Sequence, residues 1–225
     1  MMTRGFFITG TDTDVGKTWV TAGVLAALAA HGHTTAAMKP VSAGCIETTE
    51  GLRNGDALIL QRHATLNLPY AQINPYAYAA PIAPHIAAMR LGQRIEIAPI
   101  KAIFDDMARR VDYVVVEGAG GWRVPLNEHE TIADLAQALG LPVILVVGMR
   151  LGCLNHALLS CESIARQGVP LAGWVANSAC PEFPELQENI DALRERISAP
   201  LLGVIPHLQE FDAHVIANRL DFKSI

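Results

Sequence analysis

Three features of the 225-residue sequence predict an α/β protein whose mostly parallel central sheet is covered by helices on both faces. Short apolar runs alternate with stretches whose apolar residues recur at helical spacing, the pattern of successive βαβ units. Several runs are rich in β-branched residues and apolar on both faces, as strands buried between two helix layers must be. Hydrophobic residues make up 51% of the chain and charged residues 17%, a balance that supplies a large core and excludes a disordered polar chain. No Ser- or Gly-rich linker breaks the order, so residues 1–225 are expected to form one domain.

Taken in order, the apolar run 6–9 gives the first strand and leads through a Gly/Asp/Thr loop into a helical pattern over Lys17–Ala30. A second strand is expected at 35–39. The stretch 41–98 is longer than an ordinary crossover and carries Pro69, Pro75, Pro81 and Pro84; it is expected to build part of the substrate site over the sheet edge. A helix over 97–110 then precedes a strand at 113–117, and a helix over 132–139 precedes the longest apolar run, the strand at 142–147. Helix 155–167, strand 172–177, helix 184–197 and strand 201–205 complete the alternation.

The strongest local signal is Gly10-Thr11-Asp12-Thr13-Asp14-Val15-Gly16-Lys17-Thr18, placed after a strand and before a helix. This is the context of a phosphate-binding P-loop, in a variant with five residues between the glycines where the standard motif has four. Backbone N–H groups at a helix N-terminus bind phosphate oxygens, Lys17 supplies a point charge, and the Thr18 hydroxyl can ligate Mg²⁺. A plain βα turn would not explain why Gly, Lys and Thr fall together here. The fold expectation thereby sharpens to a P-loop NTPase-like three-layer sandwich that binds ATP.

Two further strand ends point to the same rim. The run 112–117 ends in Glu117 and continues into Gly118-Ala119-Gly120-Gly121, read as a Gly-rich turn. Ligands of open α/β sheets bind at the carboxyl ends of strands, so Glu117 is a candidate Mg²⁺ ligand if its strand neighbours the P-loop strand; alone, it would be a cap or a surface charge. Met38-Lys39-Pro40 puts a cation at a third strand end. Lys17 and Lys39 on one phosphate would stabilise charge on a phosphoryl group in transfer.

Over nearly its whole length the chain resembles the dethiobiotin synthetases of biotin biosynthesis. The motifs are Gly10 to Thr13 with Val15-Gly16-Lys17-Thr18, Lys39-Pro40-Val41, and Gly51-Leu52-Arg53-Asn54 leading to Asp56-Ala57. Glu117 to Trp122, Leu151-Gly152-Cys153 with Asn155-His156-Ala157, and Gly173 to Asn177 follow in order. The resemblance implies that 7,8-diaminopelargonic acid reacts with CO2 and MgATP through a carbamate and its mixed anhydride with phosphate. It implies Thr18, Asp56 and Glu117 as Mg²⁺ ligands, with Lys17, Lys39 and Thr13 as catalytic groups. Thr13, Asp14, Val15, Gly16, Lys17 and Thr18 would hold the nucleotide, with Asn177 reading the adenine and Pro206 lining its pocket. Thr13, Lys39 and Gly120 would meet the substrate, whose carboxylate would sit on the helix start Gly152, Cys153, Leu154 and Asn155 of the other subunit of a homodimer. The chain departs from the family pattern at two places. Ser42-Ala43 reverses the familiar small-residue-then-Ser order, and Asp14 stands where Glu is familiar.

The remaining features exclude other classes. A net charge of −5 without a dense Lys/Arg block argues against a nucleic-acid partner. No apolar run approaches membrane length, the N-terminus does not read as a secretory signal, and 211–225 lacks a basic amphipathic face; a cytoplasmic protein without a membrane partner is expected. Cys45, Cys153, Cys161 and Cys180 show no metal spacing and are expected to be buried or incidental. Trp19 and Trp174 are expected in the core and Trp122 in a pocket wall. A partner-assembly ATPase of the MinD and ParA type is the alternative, but the additional lysine that marks its loop is missing from Thr9-Gly10-Thr11.

Overall fold

The structure is a computed structural model that describes residues 4–178 and 183–222. Its elements are β1 (Arg4–Gly10), α1 (Lys17–Ala30), β2 (Thr35–Met38), β3 (Val41–Ser42), β4 (Ile46–Thr48), β5 (Gly51–Arg53), α2 (Gly55–His63), α3 (Tyr70–Ile73), β6 (Tyr76–Ala77) and α4 (Pro84–Arg90). They continue with α5 (Ile97–Ala108), β7 (Tyr113–Gly121), α6 (Ile132–Leu139), β8 (Val143–Gly148), α7 (Cys153–Arg166), β9 (Leu171–Asn177), α8 (Leu186–Arg194), β10 (Leu201–Ile205) and α9 (Ala213–Ala217).

Six strands form one sheet in the order β10-β9-β8-β1-β7-β2, and every pairing in it is parallel. Because successive side chains of a strand point to opposite faces, the sheet divides its apolar residues into two layers. Phe7, Met38, Val114, Val116 and Val143 pack with Ile100, Phe104 and Met107 of α5 and Leu135 of α6. Phe6, Ile8, Ala37, Val115 and Val146 pack on Val20, Val24 and Leu25 of α1 and Ile216 of α9. Leu145, Val147 and Trp174 complete the first side against α7 and α8. This is the three-layer P-loop NTPase-like sandwich the sequence predicts.

The order places the site. From β1 the chain goes out to β2 at the edge, returns to β7 beside β1, and then crosses to β8 on the other flank. The reversal opens a crevice at the carboxyl end of β1, where ligands of such sheets bind. The ends of β1, β7 and β2 are therefore neighbours, as Glu117 and Lys39 require for a shared site.

Several expectations need correction. Residues 118–121 are not a turn: β7 runs on to Gly121, which pairs with Gly10 after a register shift between Ile8 and Gly10. The stretch 41–98 carries a parallel β3–β6 pair, an antiparallel β4–β5 hairpin, α2, α3 and α4, joined by loops. Trp122 is only 2% exposed and packs edge-on to Phe7, and it lines a second cleft with Thr11, Gly121 and His156, whereas Trp19 lines the cleft that holds Lys17 and Lys39, against Phe211. Trp174 is buried as expected. Cys45 and Cys153 are buried and Cys161 is half-buried; Cys180 lies outside the described residues, as do residues 223–225 of the C-terminal segment. Among the described residues no helix is long and apolar enough to cross a membrane.

Candidate active site

The loop between β1 and α1 is shaped by two residues with positive φ, Asp14 (56°) and Gly16 (85°). An L-residue in this region is strained, and strain kept in a loop marks a geometry the surroundings enforce. At Gly16 a side chain is also excluded sterically, because a Cβ would fall on the Asn177 carboxamide nitrogen. That nitrogen donates to the Val15 carbonyl at 2.9 Å, tying the end of β9 to the loop. Val15 itself is buried beneath the loop and contributes only backbone to the site.

Gly16 is the N-cap of α1 and no side chain caps the helix, so the first-turn N–H groups remain available to an anion. Lys17 is buried there and its ammonium donates to the Asp12 carbonyl at 2.7 Å. Burial, reinforced by the positive charge of Lys39 and only partly offset by Glu117 and Asp56, lowers its pKa to about 8.

Lys39, just past β2, is the opposite case. Its ammonium donates to Glu117 Oε1 at 2.5 Å and to Asp56 Oδ2 at 3.1 Å. Burial alone would lower its pKa, but the Glu117 and Asp56 charges and their hydrogen bonds outweigh burial, and the net shift is upward. Lys39 is thus held as a cation against two carboxylates. Thr18 Oγ1 donates to the same Glu117 oxygen at 2.9 Å, while Asp56 projects from the first turn of α2, whose N-cap Asn54 accepts from Ala57 N–H.

The donor set suits a hard cation. Glu117 is 0% exposed, and its second oxygen, Oε2, is buried without a hydrogen-bond partner. A buried carboxylate oxygen left unpaired is costly unless a cation completes it. Among the described residues no group of three or more His, Cys, Asp and Glu could hold a metal alone. A hydroxyl and two carboxylates match Mg²⁺, which takes few protein oxygens and fills its octahedron with water and phosphate.

These groups line one cleft of about 350 Å³. Of the residues picked out from the sequence it gathers Thr13, Asp14, Gly16, Lys17, Thr18, Lys39, Asp56, Glu117, Gly120, Asn177 and Pro206. It adds Trp19, Ser178, His207 and Leu208, which sequence reasoning missed. Ser178 and His207-Leu208 directly follow the strand-end residues Asn177 and Pro206, so extending the strand-end argument by a residue or two would have found them. Gly152, Cys153, Leu154 and Asn155 are not brought into this cleft. Cys153 is buried with its thiol toward Asn189, and Asn155 is exposed on α7. The Ser42 hydroxyl donates away from the cleft to Asn74 Oδ1 at 2.7 Å, so it does not replace the hydroxyl absent at Ala43.

A family model described as an AAA domain matches residues 4–215. The ATP-dependent dethiobiotin synthetase BioD of Cellvibrio japonicus is 53% identical over 98% of this chain and 97% of its own length. The protein of the same name from Pseudomonas aeruginosa is 51% identical over the same shares, and that of Nitrosospira multiformis 48% identical over 100% and 97%. Among solved structures, the septum site-determining protein MinD of Pyrococcus horikoshii with Mg-ADP superposes with a TM-score of 0.58 at 17% identity, covering 92% of this chain and 82% of that one. At that identity the likeness is one of fold alone, whereas the full-length relatives share about half of their residues with this chain.

Proposed function

This chain belongs to the ATP-dependent dethiobiotin synthetase family, and from that premise we propose how its cleft makes dethiobiotin from 7,8-diaminopelargonic acid, CO2 and ATP. The observation that carries the reading is the meeting of Lys17, Lys39, Thr18, Asp56 and Glu117 in one cleft at the ends of three adjacent strands.

The triphosphate lies along the loop, with its oxygens on the free N–H groups of α1 and on Lys17, while Asn177 and Pro206 receive the adenine end. Thr18, Asp56 and Glu117 would hold Mg²⁺, which when bound neutralises the phosphate oxygens. One amine of the substrate, held by Thr13 and Gly120, adds to CO2, loses a proton and becomes a carbamate. A carbamate oxygen then attacks the γ-phosphorus and the bond to ADP breaks. Lys39 and Lys17 stabilise the negative charge on the transferring group. The second amine attacks the carbamate carbon, phosphate leaves, the amine sheds a proton, and the ureido ring closes. Tethering makes this last step intramolecular, worth several kcal/mol of barrier in comparable reactions (about 7 or more).

The same reading covers what a single chain does not complete. The helix start Gly152, Cys153, Leu154 and Asn155 does not line its own cleft; the Cys153 N–H donates to the Arg150 carbonyl at 2.9 Å, but no side chain caps the Leu154 and Asn155 N–H groups, which supports their use on the substrate carboxylate of a second copy in a homodimer. We infer that all 225 residues act as one domain in the cytoplasm, on small molecules and without nucleic acid or membrane.

The test is phosphate release by the purified protein. Release is expected only when the diamine, bicarbonate and MgATP are all present, with one ADP per dethiobiotin formed. Release that ignores the diamine would overturn the reading.

A further inference from the structure

We propose that Asn74, oriented by the Tyr70 hydroxyl, is a positioning residue that holds Lys39 at the reacting end of the cleft and couples it to the helix presenting Asp56. The proposal rests on the reading of Lys39 as the cation at the transferring phosphoryl group.

Lys39 lies between the last β2–β7 pair at Met38 and the start of β3 at Val41, and its backbone is fixed by the 70–74 segment. Its N–H donates to the Ile73 carbonyl at 2.8 Å. Its carbonyl accepts from Asn74 Nδ2 at 2.7 Å. Asn74 is 3% exposed, and its carboxamide oxygen accepts from Tyr70 Oη at 3.0 Å and from Ser42 Oγ at 2.7 Å. Since the only Ser42 hydroxyl proton goes to Asn74, Cys45 Sγ at 3.1 Å supplies the donor to Ser42. The Tyr70 oxygen in turn accepts from the Asn54 N–H at 2.7 Å, and Asn54 is the N-cap of α2.

One hydrogen-bonded chain therefore runs from the Lys39 backbone through Asn74 and Tyr70 to the start of α2, one residue before Gly55 and two before Asp56. Both ends of the Lys39–Asp56 ion pair are set by it. The loop that grips the nucleotide shares no member with it. A buried amide with both donor and acceptor sides engaged has one orientation, and that makes it a hinge pin rather than filler.

The separation fixes the kinetic signature. Tyr70→Phe removes one oxygen and keeps the ring beneath the Arg53 guanidinium, 4.3 Å from the ring centroid. Displacing Lys39 and Asp56 by a fraction of an ångström is expected to lower kcat about tenfold, with the KM for ATP and the melting temperature close to wild type. Asn74→Ala is expected to cost about 100-fold in kcat; if it does not fold, Tyr70→Phe alone decides. Tyr76→Phe, whose hydroxyl accepts from the Glu96 N–H outside the chain, is the control and should match wild type. Lys39→Ala is measured alongside. Wild-type turnover in Lys39→Ala would sink the assignment of Lys39 itself. An inactive Lys39→Ala beside a Tyr70→Phe that keeps kcat within about twofold would overturn the positioning role alone, and so would a Tyr70→Phe whose loss appears in the KM for ATP or tracks a lowered melting temperature.

Discussion

The buried pair Lys39–Glu117 can be tested by removing each charge and then both. Glu117 is 0% exposed and Lys39 5%, and among the described residues the other hydrogen-bond partners at the pair are the Thr18 hydroxyl on Glu117 and, for Lys39, Asp56, whose side chain is 45% exposed, with the Gly118 carbonyl at 3.5 Å. Lys39→Met keeps the volume but leaves a buried carboxylate with a single hydroxyl donor. Glu117→Gln keeps an acceptor for Thr18 but leaves a buried ammonium compensated by a half-exposed carboxylate. Each single change is expected to destabilise the protein by about 3 kcal/mol, the low end for a buried pair losing one partner. The double variant leaves no uncompensated buried charge from the pair and is expected to lose only about 2 kcal/mol in all, a coupling of about 4 kcal/mol. Urea unfolding of the four proteins measures this, with a common m-value as the check that the denatured state is unchanged. Phosphate release should be abolished in all three variants, so the double variant would be stable yet inactive. Additive losses, within about 0.5 kcal/mol, would refute the coupling of these two charges.

Two further perturbations address the loop and the thiols. Gly16→Ala places a side chain on the Asn177 amide at a φ of 85°; strain of about 1–2 kcal/mol plus a lost hydrogen bond of about 1 kcal/mol should weaken ADP binding about 100-fold by calorimetry, and unaltered affinity would contradict the loop geometry. Burial pushes the Cys161 thiol up to about 11, so at pH 8 about one molecule in a thousand carries the reactive thiolate. Its alkylation, followed by mass spectrometry, should be slow there and rise about tenfold per pH unit toward 11; rapid alkylation at neutral pH would contradict that burial.

The fold was legible where local pattern and tertiary role agree. Lys17–Ala30, Ile132–Leu139 and Leu201–Ile205 lie where apolar spacing placed them: α1 is buried almost all round, α6 buries one apolar face, and β10 is a short apolar run. The strand after Asp112 was legible only to Glu117. The glycines beyond it carry no side chain from which strand character can be inferred, and their extension is set by pairing of Gly121 with Gly10. The stretch 41–98 was opaque because its strands are two or three residues long, too short for a period, and the β4 residues are exposed. The candidate site was legible at strand ends. Lys17, Lys39, Glu117 and Asn177 all sit at the rim that parallel strands share, whereas Asn74 and Tyr70 act through hydrogen bonds between short elements, for which no spacing rule exists. Trp122 was legible only in part: it lines a second cleft beside the rim glycine Gly121, but its ring also turns inward onto Phe7.

In the proposed reaction, three strand ends meet around one triphosphate with two ammonium groups and a magnesium ion. A crystal structure with Mg²⁺, a non-hydrolysable ATP analogue and the diamine tests it most directly. The terminal phosphate is expected within about 3 Å of both Lys17 Nζ and Lys39 Nζ, and the metal on Thr18, Asp56 and Glu117. A terminal phosphate bound away from Lys39, or a metal that leaves Glu117 unligated, would contradict it.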